Sequence, residues 1–256
     1  MYFNKVSPHG MHTWHVFFSL WLILFYQDAR SMDFRINVPI IVMSGHVDGN
    51  EHRVLAAILD NNPGITTVVL KDSGGGDTQT GLATAQLIRD KGLDTAVSGF
   101  CRSSCANIFI GGNRRYFSDD QALEKTLIAF HAEYSSDGKH SYMPGPASSL
   151  KSFYKKMDSE VSDVLMNQWL DLQDHKGFVY FFHQQANLLP RTQKVLICRS
   201  AEPRSLRQRL EACEKPEQGD ALSNGIVTSW EVLHVRELGA GAISVGSDGK
   251  IIGRSE

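Results

Sequence analysis

Three groups of residues in this chain have the types and spacing needed for acyl-transfer chemistry. Ser103 lies in Gly99-Phe100-Cys101-Arg102-Ser103-Ser104-Cys105-Ala106, where an apolar run gives way to a small-residue helix start. Upstream is Ser73-Gly74-Gly75-Gly76; downstream is His131, at the end of an apolar run. A serine hydroxyl becomes an effective nucleophile only when a base takes its proton, and an imidazole can do that near neutral pH. A glycine turn between a strand and a helix exposes N–H groups that suit an oxyanion. Each feature also has a plainer use: a tight turn, a helix cap at the Ser103–Ser104 pair, a satisfied core histidine. It is their order together that favours chemistry. The glycines fit neither the phosphate-loop nor the dinucleotide pattern. His46, His52, His175 and His183 have weaker contexts.

Elements that could position these residues are legible on either side of them. Ile36 to Met43 is β-branched and apolar and predicts a strand. Glu51 to Asp60 has helical spacing, with Asn61-Asn62-Pro63-Gly64 as its stop. Thr66 to Leu70 predicts a short buried strand that runs into the glycines. Gly81 to Lys91 predicts a helix capped at Gly92, and Asp94 to Ser98 a strand leading to Gly99. Cys105 to Ile110 predicts a buried helix, and Leu127 to Phe130 a strand ending at His131. Strand and helix alternate, the signature of parallel βαβ units. The second half is expected to be more helical, over Ser148 to Leu172 and on through Phe178 to Leu189 until Pro190. Strands are expected at Lys194 to Cys198 and Ala242 to Val245. Asp220 to Gly225 predicts a short helix with a Gly cap, and Ile226 to Thr228 a strand.

The chain has 256 residues, enough for one large domain or two small ones. Its formal charge of −2 leaves no basic footprint for nucleic acid. Residues 14–26 form an apolar run preceded by Lys5 and followed by Asp28 and Arg30. The run is short for a bilayer span. It predicts a signal peptide or an N-terminal membrane anchor over residues 1–31, with cleavage near Ala29 or Ser31. Residues 32–256 then form the folded domain.

Four cysteines fit an oxidising compartment. Cys198 and Cys213 bracket a polar segment, and a disulfide there would be worth roughly 3 kcal/mol. Cys101 and Cys105 are neighbours if they share a helical turn, so they either pair or remain two buried thiols. No metal-ligand spacing is present.

The arrangement of Gly75, Ser103 and His131 resembles the proteolytic subunit of Clp protease and its relatives in the Clp/crotonase superfamily. Asp72-Ser73-Gly74-Gly75-Gly76 stands where that family has an Asn-Ser-Pro-Gly-Gly turn. Gly99 to Ser103 matches its GxxxS elbow, Phe130-His131 its strand-end histidine, and Ala221 to Thr228 its late helix–turn–strand. The match spans roughly Ile36 to Thr228. The resemblance is to the exported or periplasmic members in particular, which often carry a G-x-C-x-S-x-C elbow, as at Gly99 to Cys105 here.

The resemblance implies an α/β spiral of parallel βαβ units with a helical C-terminal half. It also implies an exported or periplasmic serine peptidase acting on a peptide or protein, without metal or cofactor. Ser103 would be the nucleophile, His131 the base, and the amides of Gly75 and Ser104 the oxyanion hole. The family's aspartate falls near Cys213 here, and Glu202, Glu211, Glu214 and Asp220 are the carboxylates around it. Family members assemble into rings or trimers, which implies a homo-oligomer. Two other classes compete. One is an acyl-CoA-processing crotonase-type enzyme, which the export signal disfavours. The other is a binding or scaffold domain that keeps the fold without the chemistry.

Overall fold

A run of Val68, Val69 and Leu70, each with no exposed surface, marks a strand covered on both faces. That is the environment of a central strand in a parallel sheet. The computed structural model describes residues 31–134, 146–188, 193–200, 211–216, 219–235, 242–246 and 249–254. The expectations for residues 1–30, including the apolar run at 14–26, and for Glu202 lie outside the described residues.

The chain enters through β1 (Asp33–Asn37) and β2 (Ile40–Val47), then α1 (Glu51–Asn61), β3 (Thr67–Gly76) and α2 (Thr78–Asp90). Next come β4 (Asp94–Arg102), α3 (Ser104–Ile110), β5 (Arg115–Ser118) and β6 (Leu127–Phe130). After these follow α4 (Pro146–Met157), α5 (Asp163–Leu170), β7 (Phe178–Phe182) and β8 (Val195–Cys198). The last strands are β9 (Val232–Leu233), β10 (Ile243–Val245) and β11 (Ile251–Arg254).

One sheet runs β11-β10-β1-β2-β3-β4-β6-β7-β8, with β5 beside β4 and β9 beside β5. Its centre is parallel: β2 with β3, β3 with β4, and β4 with β6. The flanks, β1 and β10 on one side and β7 and β8 on the other, are antiparallel. This is the α/β architecture of parallel units that the alternation implied.

The helices follow their apolar stripes. On α1, Val54, Leu55, Ile58 and Leu59 are buried. On α2, Ala85 and Ile88 are buried, and the Asp77 carboxylate accepts from the Thr80 amide at 2.7 Å. That cap starts the helix at Thr78, three residues before the glycine at which periodicity placed it.

Several local expectations are corrected. The strand expected over Ile36 to Met43 is a hairpin, because Pro39 has no N–H to continue a ladder and Val38-Pro39 makes the turn between β1 and β2. Phe178 to Phe182 is a strand, not a helix: the run FVYFF pairs antiparallel with β6 and suits a strand covered on both faces. The helical stretch from Ser148 is two helices, α4 and α5, and the second half also holds β7 to β11. Asp220 to Gly225 is a series of turns, and Ile226 to Thr228 is not a strand.

The segment around Ile226 is held by Arg115 instead. The Arg115 side chain, fully buried, donates to the carbonyls of Gly112, Gly225 and Ile226 and pairs with Asp158. Removing one member of such a pair strands a buried charge. Asp158→Ala is therefore expected to lower stability by about 3–5 kcal/mol, measured by denaturant unfolding; a loss below about 1 kcal/mol would show that the three carbonyls satisfy the guanidinium alone.

Both cysteine pairs are disulfide-bonded, Cys101 to Cys105 and Cys198 to Cys213. Of the two readings of the first pair, the bonded one holds. Among the described residues no helix is long and apolar enough to cross a membrane.

Candidate active site

Two parallel strands bring the serine and the histidine to the same end of the sheet. In the pairing of β4 with β6, Cys101 lies opposite Ile128 and Arg102 opposite Ala129. The Ser103 amide extends this ladder, donating to the Ala129 carbonyl at 3.0 Å. Each chain then leaves its strand, one into α3 and the other into His131. Ser103 Oγ lies 2.6 Å from His131 Nε2.

Ser103 occupies a turn that ordinary residues avoid, with φ 57° and ψ −128°. Such a conformation costs on the order of 1–3 kcal/mol and persists only where the surroundings enforce it. It makes no side-chain cap bond to α3, so the helix-capping use of this serine is not the one adopted. Ser104 behaves differently. It is 1% exposed, and its hydroxyl donates to the Gly76 carbonyl at 2.6 Å. Its N–H is the first amide of α3, one of those a helix leaves without an internal partner.

The glycine turn is the end of β3 and is pressed against this elbow. Gly75 has φ +88°, and a Cβ there would lie 2.6 Å from the Arg102 carbonyl oxygen, 2.7 Å from Ser103 Cβ and 2.8 Å from the Ser104 nitrogen. Only glycine permits that approach. The Gly75 amide makes a long contact, 3.3 Å, with Ser73 Oγ.

The histidine is clamped by aromatics. Its ring stacks on Phe178 with centroids 4.4 Å apart and tilts against Tyr134 at 5.1 Å. The Tyr134 hydroxyl donates to the carbonyls of Leu172 and Asp174, which fixes Tyr134 beside the ring. His131 Nδ1 is buried and completes no hydrogen bond. The His131 pKa is lowered to about 4. Burial is the main cause; the approaching main chain of His175 offsets part of it, and the His175 charge lowers it further. His131 is therefore a neutral imidazole at physiological pH.

Ser103 and His131 open on a cavity of about 600 Å³, shared with His46, Asp77, Asn107, Glu133 and His175. Burial, followed by the Asp77 charge, raises the Glu133 pKa. A larger cavity of about 860 Å³ is lined by Leu165 and Gln168 of α5 with Glu214, Ser223 and Asn224, and shares no lining residue with the cavity at Ser103 and His131.

Of the carboxylates expected near the histidine, the three among the described residues, Glu211, Glu214 and Asp220, are not brought to it. Asp220 is spent on its own turn, accepting from the amides of Leu222 and Ser223. Glu214 pairs with Arg199. Neither these nor Glu211 lines the cavity that holds Ser103.

Four contributors escaped sequence reasoning: Phe178, Tyr134, Asn107 and Glu133. Asn107 follows Ser103 by one helical turn, a spacing that could have flagged it. Tyr134 and Glu133 lie just past the histidine and could have been found on the same grounds. Phe178 comes from a strand far along the chain and carries no local signal.

No family model matches the chain, and no curated protein matches it. Solved structures similar to it include the membrane-bound stomatin-specific protease 1510-N, at 12% identity over 84% of this chain and 90% of that one, with a TM-score of 0.42. They also include a ClpP1 mutant from Listeria monocytogenes, at 11% identity over 78% of this chain and 94% of that one, TM-score 0.42. A protein assigned as an enoyl-CoA hydratase from Streptomyces coelicolor A3(2) is similar at 12% identity, over 49% of this chain and 53% of that one, TM-score 0.29.

Proposed function

We propose that this protein is an exported serine hydrolase of the Clp/crotonase type, acting as a peptidase. The observation that carries the proposal is the 2.6 Å contact between Ser103 Oγ and His131 Nε2, made at a cavity by a serine in an otherwise unfavourable backbone turn. Ser103 Oγ attacks the substrate carbonyl while His131 Nε2 takes its proton. The amides of Gly75 and Ser104 hold the oxyanion, and His131 returns the proton to the leaving amine. Water then cleaves the acyl-enzyme by the same steps in reverse. Residues 1–31 act as a signal peptide or anchor, and the two disulfides suit the compartment this implies.

The test is covalent labelling by a fluorophosphonate probe with the adduct mapped by mass spectrometry. Modification of Ser103 supports the proposal, and its absence from folded protein in every oligomeric form overturns it. A second reading, a binding domain without catalysis, is favoured by one observation: among the described residues, no carboxylate meets the buried His131 Nδ1. The same labelling experiment separates the two.

The pH profile carries a further prediction. The neutral imidazole is the competent base, and protonation below its pKa removes it. With that pKa near 4, the rate of labelling should be flat from about pH 5.5 to 8. It should fall tenfold per pH unit below about 4. A profile falling with a midpoint near 6.5, the ordinary histidine value, would show that His131 is not buried as described. Stability has the same sign. The folded pKa lies below the unfolded one, so this contribution is complete above about pH 6.5 and is lost as pH falls toward 4.

A further inference from the structure

The cysteines around the elbow do more than mark an oxidising compartment. Cys101 belongs to β4 and Cys105 to the first turn of α3, and the disulfide between them spans the break at which Ser103 sits. Both are fully buried. The ring this bond closes runs through the backbone of Arg102, Ser103 and Ser104, so it carries the Ser103 hydroxyl and includes the Ser104 amide. Cys101 is itself fixed in the sheet, opposite Ser73 of β3 and Ile128 of β6. Those two strands carry the glycine turn and the histidine.

A disulfide stabilises a fold in proportion to the logarithm of the loop it closes. With a separation of 4 residues against 15 for Cys198 to Cys213, the elbow bond is the less effective of the two as a global staple. Its placement serves local geometry. Relaxing Ser103 from φ 57° into an ordinary basin would redirect the chain between β4 and α3, and the bond opposes this by holding the two Cα atoms 5.2 Å apart.

We infer that the Cys101–Cys105 disulfide is a positioning device for the reaction: it holds Ser103 Oγ on His131 and the Ser104 amide on the oxyanion. This rests on the serine-nucleophile reading above. A misplacement of about 1 Å in a reacting group costs on the order of 100-fold in rate, so the rate should be sensitive to it.

The experiment compares two double variants of the full chain, C101A/C105A and C198A/C213A, by saturable fluorophosphonate labelling and thermal unfolding. Labelling is measured well below each Tm and resolved into KI and kinact. For C101A/C105A, kinact is expected to fall about 10- to 100-fold with KI within twofold of wild type. For C198A/C213A, kinact should stay at the wild-type value although Tm falls. If C101A/C105A does not fold, C198A/C213A reduced with tris(2-carboxyethyl)phosphine takes its place. That protein keeps both elbow side chains at full volume, and its free thiols are counted by mass. Wild-type kinact in a protein lacking the elbow bond, or an equal loss of kinact in both double variants, overturns the inference and leaves the nucleophile reading intact. Absence of labelling in the wild type overturns that reading first.

Discussion

Replacing Ser103 with alanine is expected to abolish covalent labelling and to reduce hydrolysis of any turned-over peptide by about 10³-fold or more. His131→Ala should do nearly the same, because without a base the hydroxyl keeps its proton. The two changes should not add. Residues that act as a unit lose their joint function when either is removed, so the double variant should be no slower than Ser103→Ala. Ser104→Ala supplies the contrast. Its hydroxyl is committed to the Gly76 carbonyl, and its proposed role lies in the backbone amide that alanine retains. Labelling should therefore survive within about tenfold, the loss reflecting a looser turn. Full labelling of Ser103→Ala, or its loss only in Ser104→Ala, would assign the nucleophile to the wrong serine.

The second large effect is expected at Gly75. A methyl group there meets backbone rather than the end of a movable side chain, at 2.6 Å from the Arg102 carbonyl oxygen and 2.8 Å from the Ser104 nitrogen. The φ of +88° is in addition a value that alanine adopts at a cost. Either the turn or the elbow must give way, and both carry proposed oxyanion donors. Gly75→Ala should lower the labelling rate by about 10²- to 10³-fold, the effect of losing one such donor, and should also lower Tm. Gly74→Ala is the control, since nothing lies within 4 Å of a Cβ at that position. It should label at close to the wild-type rate. If both alanines behave alike, the turn acts only as a connection.

The elements nearest the serine were legible because their signals are local. The β-branched run Thr66 to Leu70, buried from Thr67 onward, the helix at Glu51 to Asn61 and the strand before His131 each announce themselves by β-branched density or a 3.6-residue period. Errors fell where an apolar run is compatible with two structures. Phe178 to Phe182 is as apolar as a buried helix. It becomes a strand because β6 offers an unpaired edge for its backbone, a fact no window of sequence contains. The Val38–Pro39 hairpin shows the opposite case: proline was visible, but the strand period around it concealed the turn.

The same division runs through the site. The amino-acid sequence by itself determined that a serine, a histidine and a glycine turn follow one another at strand ends, since strand, turn and helix signals depend on neighbours along the chain. Only the tertiary structure decided that Ser103 and His131 touch. That follows from the in-register parallel pairing of β4 and β6 across 28 residues, and pairing register is a long-range property. Tertiary structure alone also decided that Cys101 bonds to Cys105, and that Asp220 caps its own turn instead of meeting the histidine. A carboxylate's partner depends on where its backbone is carried, and the segment holding Asp220 is anchored elsewhere, by the buried side chain of Arg115.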